Sequence, residues 1–245
     1  MKSMYNKYNF TYLSEKIFEA KFQENPFDHI YIENFLSEEH FLEIINSSEI
    51  NSKSYKNDEE LIENLINNGF KPIGFPGCIT DIEKYIKWHK GNLKTSLHSA
   101  CEGFGMALRL FNFKSEILKE LNLFLSSNEF NETIAEKFKI NFKECTIDTG
   151  IQKYLDGYEI SPHPDVRKKA TTFMVNINPN QNSEKVNYHT HYLKFKKEYE
   201  YVKEFWKGNE NIDRVWVPWN WTKSIKQQTK NNSIVLFSPS NDTLH

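Results

Sequence analysis

Apolar and polar positions change their period partway along the chain. Near the start, Tyr12, Leu13, Ile17 and Phe18 fall on one face at helical spacing, and Asn25-Pro26 closes that segment. His29-Ile30-Tyr31-Ile32 reads as a short strand. Ser37 is placed to cap a helix that continues through Phe41, Leu42, Ile44 and Ile45, with His40 at the third helical position. Residues 46–57 are rich in Asn, Ser and Lys and read as an exposed loop. Asp58-Glu59-Glu60 then puts acids at the positive end of a helix that Gly69 stops. Pro72, Gly74, Pro76 and Gly77 mark a turn-rich connector. Helices are predicted near 80–90, over 92–126 and near 129–138, the long one from Leu108, Phe111, Leu118, Leu121 and Leu125.

From about residue 140 the pattern shortens. Residues 146–155 and 170–177 alternate as strands do, and Tyr188 to Phe195 forms another candidate. Residues 196–213 are charged and partly helical, in the manner of an insertion. Val215-Trp216-Val217 and Ile234-Val235-Leu236-Phe237 are two further short strands. A helical first half followed by several short strands predicts an α+β fold with an antiparallel sandwich or jelly roll. The expected organisation is a single domain over 1–245, with 1–139 as mainly helical support and 140–245 as the jelly-roll core.

Charge and cysteine usage narrow the function classes. The formal net charge is −2, which gives no electrostatic case for nucleic acid. No stretch approaches the ~20 apolar residues of a membrane span, and the N-terminus carries no apolar signal region. Cys78, Cys101 and Cys145 are odd in number and lack metal-type spacing, so they read as reduced thiols of a cytoplasmic protein. An aromatic share of 15% predicts an aromatic-rich core.

The candidate chemistry sits at Ser161-Pro162-His163-Pro164-Asp165. His163 and Asp165 are two apart, so an extended chain points both to one side. His245, just beyond the apolar run 233–237, supplies a second imidazole. Two imidazoles and one carboxylate on one face of a metal leave the opposite positions open, as in non-haem Fe(II) oxygenases. His189-Thr190-His191 is a second i, i+2 pair, able to hold zinc with a carboxylate. Trp216-Val217-Pro218-Trp219-Asn220-Trp221 reads as core aromatics or as the lining of a binding surface.

With its flanks, the H-x-D segment resembles the 2-oxoglutarate/Fe(II)-dependent dioxygenases, especially the prolyl-hydroxylase-like branch. Gly150 to Glu159 stands before it, and Ala170-Thr171-Thr172-Phe173-Met174-Val175-Asn176 stands after it. The resemblance covers roughly 146–245 and, more loosely, 26–36. It implies a double-stranded β-helix (jelly roll) fold and His163, Asp165 and His245 as iron ligands. It also implies oxidative decarboxylation of 2-oxoglutarate to succinate and CO2, coupled to hydroxylation of a protein or small-molecule substrate, with ascorbate as a possible further cofactor. Tyr154, Thr172 and Asn176 become candidates for the cosubstrate pocket, although relatives often carry tyrosine where Asn176 stands. Arg167, Lys168 and Lys169 are candidates for steering an anion. Relatives place an Arg or Lys on a strand beyond the distal histidine. No residue here follows His245, so the last strand is expected to be missing and the His245 backbone to fray. The alternative is a non-catalytic double-stranded β-helix domain that binds a ligand or partner.

Overall fold

Polar side chains at the helix starts explain where the helices begin. The structure, a computed structural model, describes residues 8–51, 55–91 and 98–245. Ser37 accepts the His40 N–H at the head of α2 (Glu38–Ile45), and Asn57 accepts the Glu60 N–H at the head of α3 (Asp58–Asn67). Asp81 caps α4 (Ile82–Lys90), and Ser127 caps α6 (Asn128–Phe138). The helix between them, α5 (Glu116–Leu125), is capped from a distance. Buried Glu49 accepts the N–H groups of Lys114 and Ser115, each at 2.8 Å, and the Ser115 hydroxyl at 2.6 Å. The first helix, α1 (Tyr12–Glu19), packs on α6 through Leu13 and Ile17.

The region 92–126 is not one helix. Residues 92–97 lie outside the described residues, and Ala107–Leu110 forms strand β3. Leu108 and Leu110 alternate here with Arg109, and Gly105 takes a left-handed φ of +71° beside them, whereas Leu118, Leu121 and Leu125 do lie on α5. A Cβ on Gly105 would stand 2.8 Å from Tyr158 N, so the chain turns there and enters a strand. β3 pairs antiparallel with β2 (Phe70–Ile73) on one side and β4 (Gln152–Tyr154) on the other. Of the alternating stretch 146–155, only β4 is strand.

A second antiparallel sheet has the order β1 (Ile30–Glu33), β8 (Ser233–Phe237), β5 (Thr172–Asn176). β8 is buried along its length because both its faces are covered. Ile234 and Leu236 join the main core under the helices, while Val235 and Phe237 pack with Phe27 and Tyr192 on the other side. Burying one such side chain is worth roughly 1.5–3 kcal/mol, so the strand is held firmly in register.

The third pair is β6 (His191–Phe195) with β7 (Thr222–Gln227), antiparallel and bulged between Tyr192 and Leu193. Backbone bonds extend it sideways. Leu193 N–H donates to Leu244 O at 2.8 Å, His163 and His245 exchange N–H···O bonds of 3.0 Å each, and Val217 N–H donates to Pro162 O at 2.8 Å. Val215–Val217 is therefore extended but not a named strand. The stretch 196–213 contains α7 (Tyr201–Gly208), whose Val202 and Trp206 pack with Leu193, Phe195, Val217 and Leu244. The architecture is thus α+β with several antiparallel sheets, and no sheet closes into a barrel among the described residues. No helix is long and apolar enough to cross a membrane among the described residues.

Candidate metal centre

Two prolines and a strand-like pairing set the His163 backbone. Pro162 and Pro164 hold Ser161 and His163 in extended conformations. The reciprocal bonds with His245 form the hydrogen-bonded pair of an antiparallel ladder, which places the two side chains side by side. Their rings lie 4.4 Å apart between centroids. The expected fraying of His245 is not what the structure has: both its N–H and its carbonyl are taken up by His163. After Pro164 the chain turns sharply, with Asp165 at a φ of +63°, a conformation Asp tolerates better than most residues. This turn brings the carboxylate back beneath the imidazoles. Asp165 Oδ1 lies 3.7 Å from His163 Nε2, and Oδ2 lies 3.9 Å from His245 Nε2.

The same device fixes both imidazoles. His163 Nδ1 meets Ser161 O at 3.0 Å, and His245 Nδ1 meets Thr243 O at 3.0 Å. A carbonyl accepts only, so each Nδ1 carries the proton and each Nε2 presents a lone pair. Burial lowers the pKa of both histidines, which keeps them neutral, the form that binds metals. Burial opposes ionisation of Asp165, but the Lys169 ammonium and the Thr172 hydroxyl outweigh it and hold the carboxyl below its usual range. Phe237 packs edge-on against His245 at 4.9 Å and closes the site from the core side.

The donor set fits a divalent ion. The three ligand atoms lie within 4.8 Å of one another, in the only such cluster of three among the described residues. Adjacent ligands at ~2.1 Å from a metal are about 3 Å apart, so the Asp165–histidine separations of 3.7 and 3.9 Å would close by less than an ångström. One side chain would have to move. Lys169 Nζ stands 2.5 Å from Asp165 Oδ1, while the Thr172 hydroxyl donates to Oδ2 at 2.6 Å.

Comparison with protein-family models, with curated proteins and with solved structures finds no match. What the centre can do rests on its own geometry.

The other residues singled out in the sequence take varied places. Thr172 touches the Asp165 ligand. Asn176 does not: its amide donates to Gln228 O and Lys230 O at 3.1 and 3.0 Å, tying the β7–β8 turn. Tyr154 donates to Gln152 at 2.5 Å and stacks on Tyr158, and neither contact involves a ligand. Arg167 is committed elsewhere, donating to the carbonyls of Trp206 and Ile212 at 2.5 and 2.8 Å, which fastens the 196–213 stretch to the ligand loop. Lys168 is exposed. His189 meets Ser183 O, and His191 meets the Ser224 hydroxyl. No third ligand gathers around that pair among the described residues. In the tryptophan cluster, Val217 is core, Trp219 donates to Glu159, and Trp221 stacks on Tyr199.

A 740 Å³ cavity lined by Phe27, Phe138, Lys194, Lys203 and Leu244 takes in none of the three ligands. Two contributors to the centre escape the motif: the carbonyls that fix Nδ1, and Lys169 as a hydrogen-bond partner of Asp165. The carbonyls had a visible signal, because Ser161-Pro162-His163 and Thr243-Leu244-His245 repeat one [Ser/Thr]-x-His pattern.

Proposed function

We propose that this chain is a 2-oxoglutarate/Fe(II)-dependent dioxygenase, probing its substrate with a jelly-roll core and hydroxylating an unactivated C–H of a protein or small-molecule substrate. The observation that carries the reading is the convergence of His163 Nε2, Asp165 and His245 Nε2 with both Nδ1 atoms fixed on carbonyls. Three protein ligands on one side leave coordination positions for a bidentate 2-oxo acid and O2. The strand order from Pro162–His163 through Leu244–His245 to β6 and β7, with Tyr192 of β6 packed on Val235 and Phe237 of β8, is what supports the jelly-roll core.

Bound Fe(II) would activate O2, whose reduction takes two electrons from the decarboxylation of 2-oxoglutarate and two from the substrate C–H, with ascorbate as the reductant that keeps the iron ferrous. The chain's own residues do the rest. The two carbonyls hold the imidazole tautomers, and Thr172 orients the Asp165 carboxylate. Phe237 excludes water from the buried side. Lys169, the ion-pair partner of Asp165, would stand with its ammonium beside a bound metal and could serve an anionic co-ligand. The three thiols, none in a disulfide, fit a reducing cytoplasmic setting.

One observation favours a second reading, a non-catalytic binding domain. Both oxygens of Asp165 already have partners in Lys169 and Thr172, as in a purely structural ion pair. Succinate formation from 2-oxoglutarate separates the two. The dioxygenase reading expects succinate that requires Fe(II) and O2 and disappears in Asp165→Ala. No succinate from Fe(II)-loaded protein would favour the binding domain.

A further inference from the structure

One cation beside the centre, Arg214, has an enclosed Nε with no hydrogen-bond acceptor among the described residues, and its guanidinium feels the charges of Asp213 and Asp165 without a contact to either carboxylate. Arg214 is buried, at 6% exposure. Its Nε is fully enclosed with no hydrogen-bond acceptor, and no carboxylate reaches salt-bridge distance of it among the described residues. Its backbone position is well defined. Residues 213–217 run antiparallel to the ligand loop, anchored at one end by Val217 N–H on Pro162 O and at the other by Arg167 N–H on Asp213 Oδ1, 2.8 Å each. Between these anchors Arg214 comes opposite Asp165 and Val166.

Enclosing a guanidinium N–H without an acceptor is costly, and the usual remedy is a paired carboxylate. Asp213 spends Oδ1 on the backbone N–H groups of Arg167 and Arg214. Asp165 is the buried carboxylate across from Arg214, and its oxygens are taken by Lys169 and Thr172. Arg167 contrasts with this. Its guanidinium is satisfied by main-chain carbonyls and serves as a clamp. Arg214 makes no comparable bonds, so its influence is exerted through its field.

We propose that Arg214 is a charge-setting positioning residue of the metal centre. It acts through Asp165 to weaken the hold on the divalent ion and to strengthen the hold on an anionic ligand in the open positions. This rests on the metal-centre reading above. A fixed positive charge repels a dication and attracts a dianion, in a buried setting where solvent screens little. A merely structural arginine would not have effects of opposite sign on the two.

The test uses the full chain, Mn(II) and oxalate, a bidentate dianion. Mn(II) affinity is read from the EPR signal of free ion, and oxalate affinity by calorimetry on Mn(II)-loaded protein. Arg214→Met is expected to bind Mn(II) roughly tenfold more tightly and oxalate roughly tenfold more weakly, whereas Arg214→Lys stays near wild type on both. Should Arg214→Met fail to fold, Arg214→Gln carries the same comparison. Unchanged affinities, or weakening of both, would overturn the proposal and leave the metal centre standing. Absence of Mn(II) binding by the wild type would instead overturn the metal-centre reading, and this proposal with it.

Discussion

Thr172→Val isolates one interaction of the centre. The substitution keeps the branched shape on β5 and removes only the hydroxyl that donates to Asp165 Oδ2 at 2.6 Å. That length is typical of a charge-assisted O–H···O⁻ bond. Asp165 is 5% exposed, so water does not readily replace the lost donor. A hydrogen bond to a buried charge is worth about 1.5–3 kcal/mol, which for a chain of this size lowers the melting midpoint by about 3–12 °C. Metal affinity falls too, because the freed carboxylate rotates about its last torsion. Loss of such outer contacts typically costs about 10–100-fold. The assay pairs thermal melting of metal-free protein with Mn(II) titration, and Thr172→Ser, which restores the hydroxyl, serves as the control. A valine variant that binds Mn(II) as tightly as wild type would show that Thr172 does not orient a ligand, and Asp165 would lose its best structural credential.

Replacing His163, Asp165 or His245 by Ala should abolish Mn(II) binding, whereas His189→Ala and His191→Ala should retain it; EPR of free Mn(II) reads the difference. Glu49→Gln should destabilise the fold by about 2–3 kcal/mol, since a buried carboxylate with three short bonds to the head of α5 loses its charge, and urea denaturation measures this. His89 bridges Asp156 and Asp58 at 2.8 and 2.7 Å, and those two bonds raise its pKa above 6.5. Its contribution is fully present below pH 6.5 and is lost as pH rises through the raised value, so stability measured from pH 6 to 9 should lose a step in His89→Gln, and identical profiles would refute the bridge.

The sequence carried the candidate ligands more clearly than the scaffold. His163 and Asp165 were legible because an i, i+2 pair in a proline-flanked extended segment must face one way, and His245 because it follows the apolar β8 run. Their convergence depends on the His163–His245 backbone pairing, which joins segments far apart in the chain and leaves no local trace. β3 was mistaken for helix because Leu108 and Phe111 by coincidence continue the helical spacing that Leu118, Leu121 and Leu125 keep on α5, while the turn at Gly105 and the pairing with β2 are tertiary facts. Asn176 shares a strand face with Thr172, yet its amide meets the β7–β8 turn instead of the candidate ligands, since four residue steps along the strand separate the two by about 13 Å. Arg214 gave no sequence signal at all. Its interest lies in what it lacks, and a missing partner is visible only in three dimensions.

The most direct test is a crystal structure of the full chain grown with Mn(II), with the ion located by anomalous scattering. The account predicts one ion at roughly 2.0–2.3 Å from His163 Nε2, His245 Nε2 and an Asp165 oxygen, with Lys169 moved off Oδ1. An ion bound elsewhere, or a Lys169–Asp165 pair that stays closed at saturating Mn(II), would contradict it.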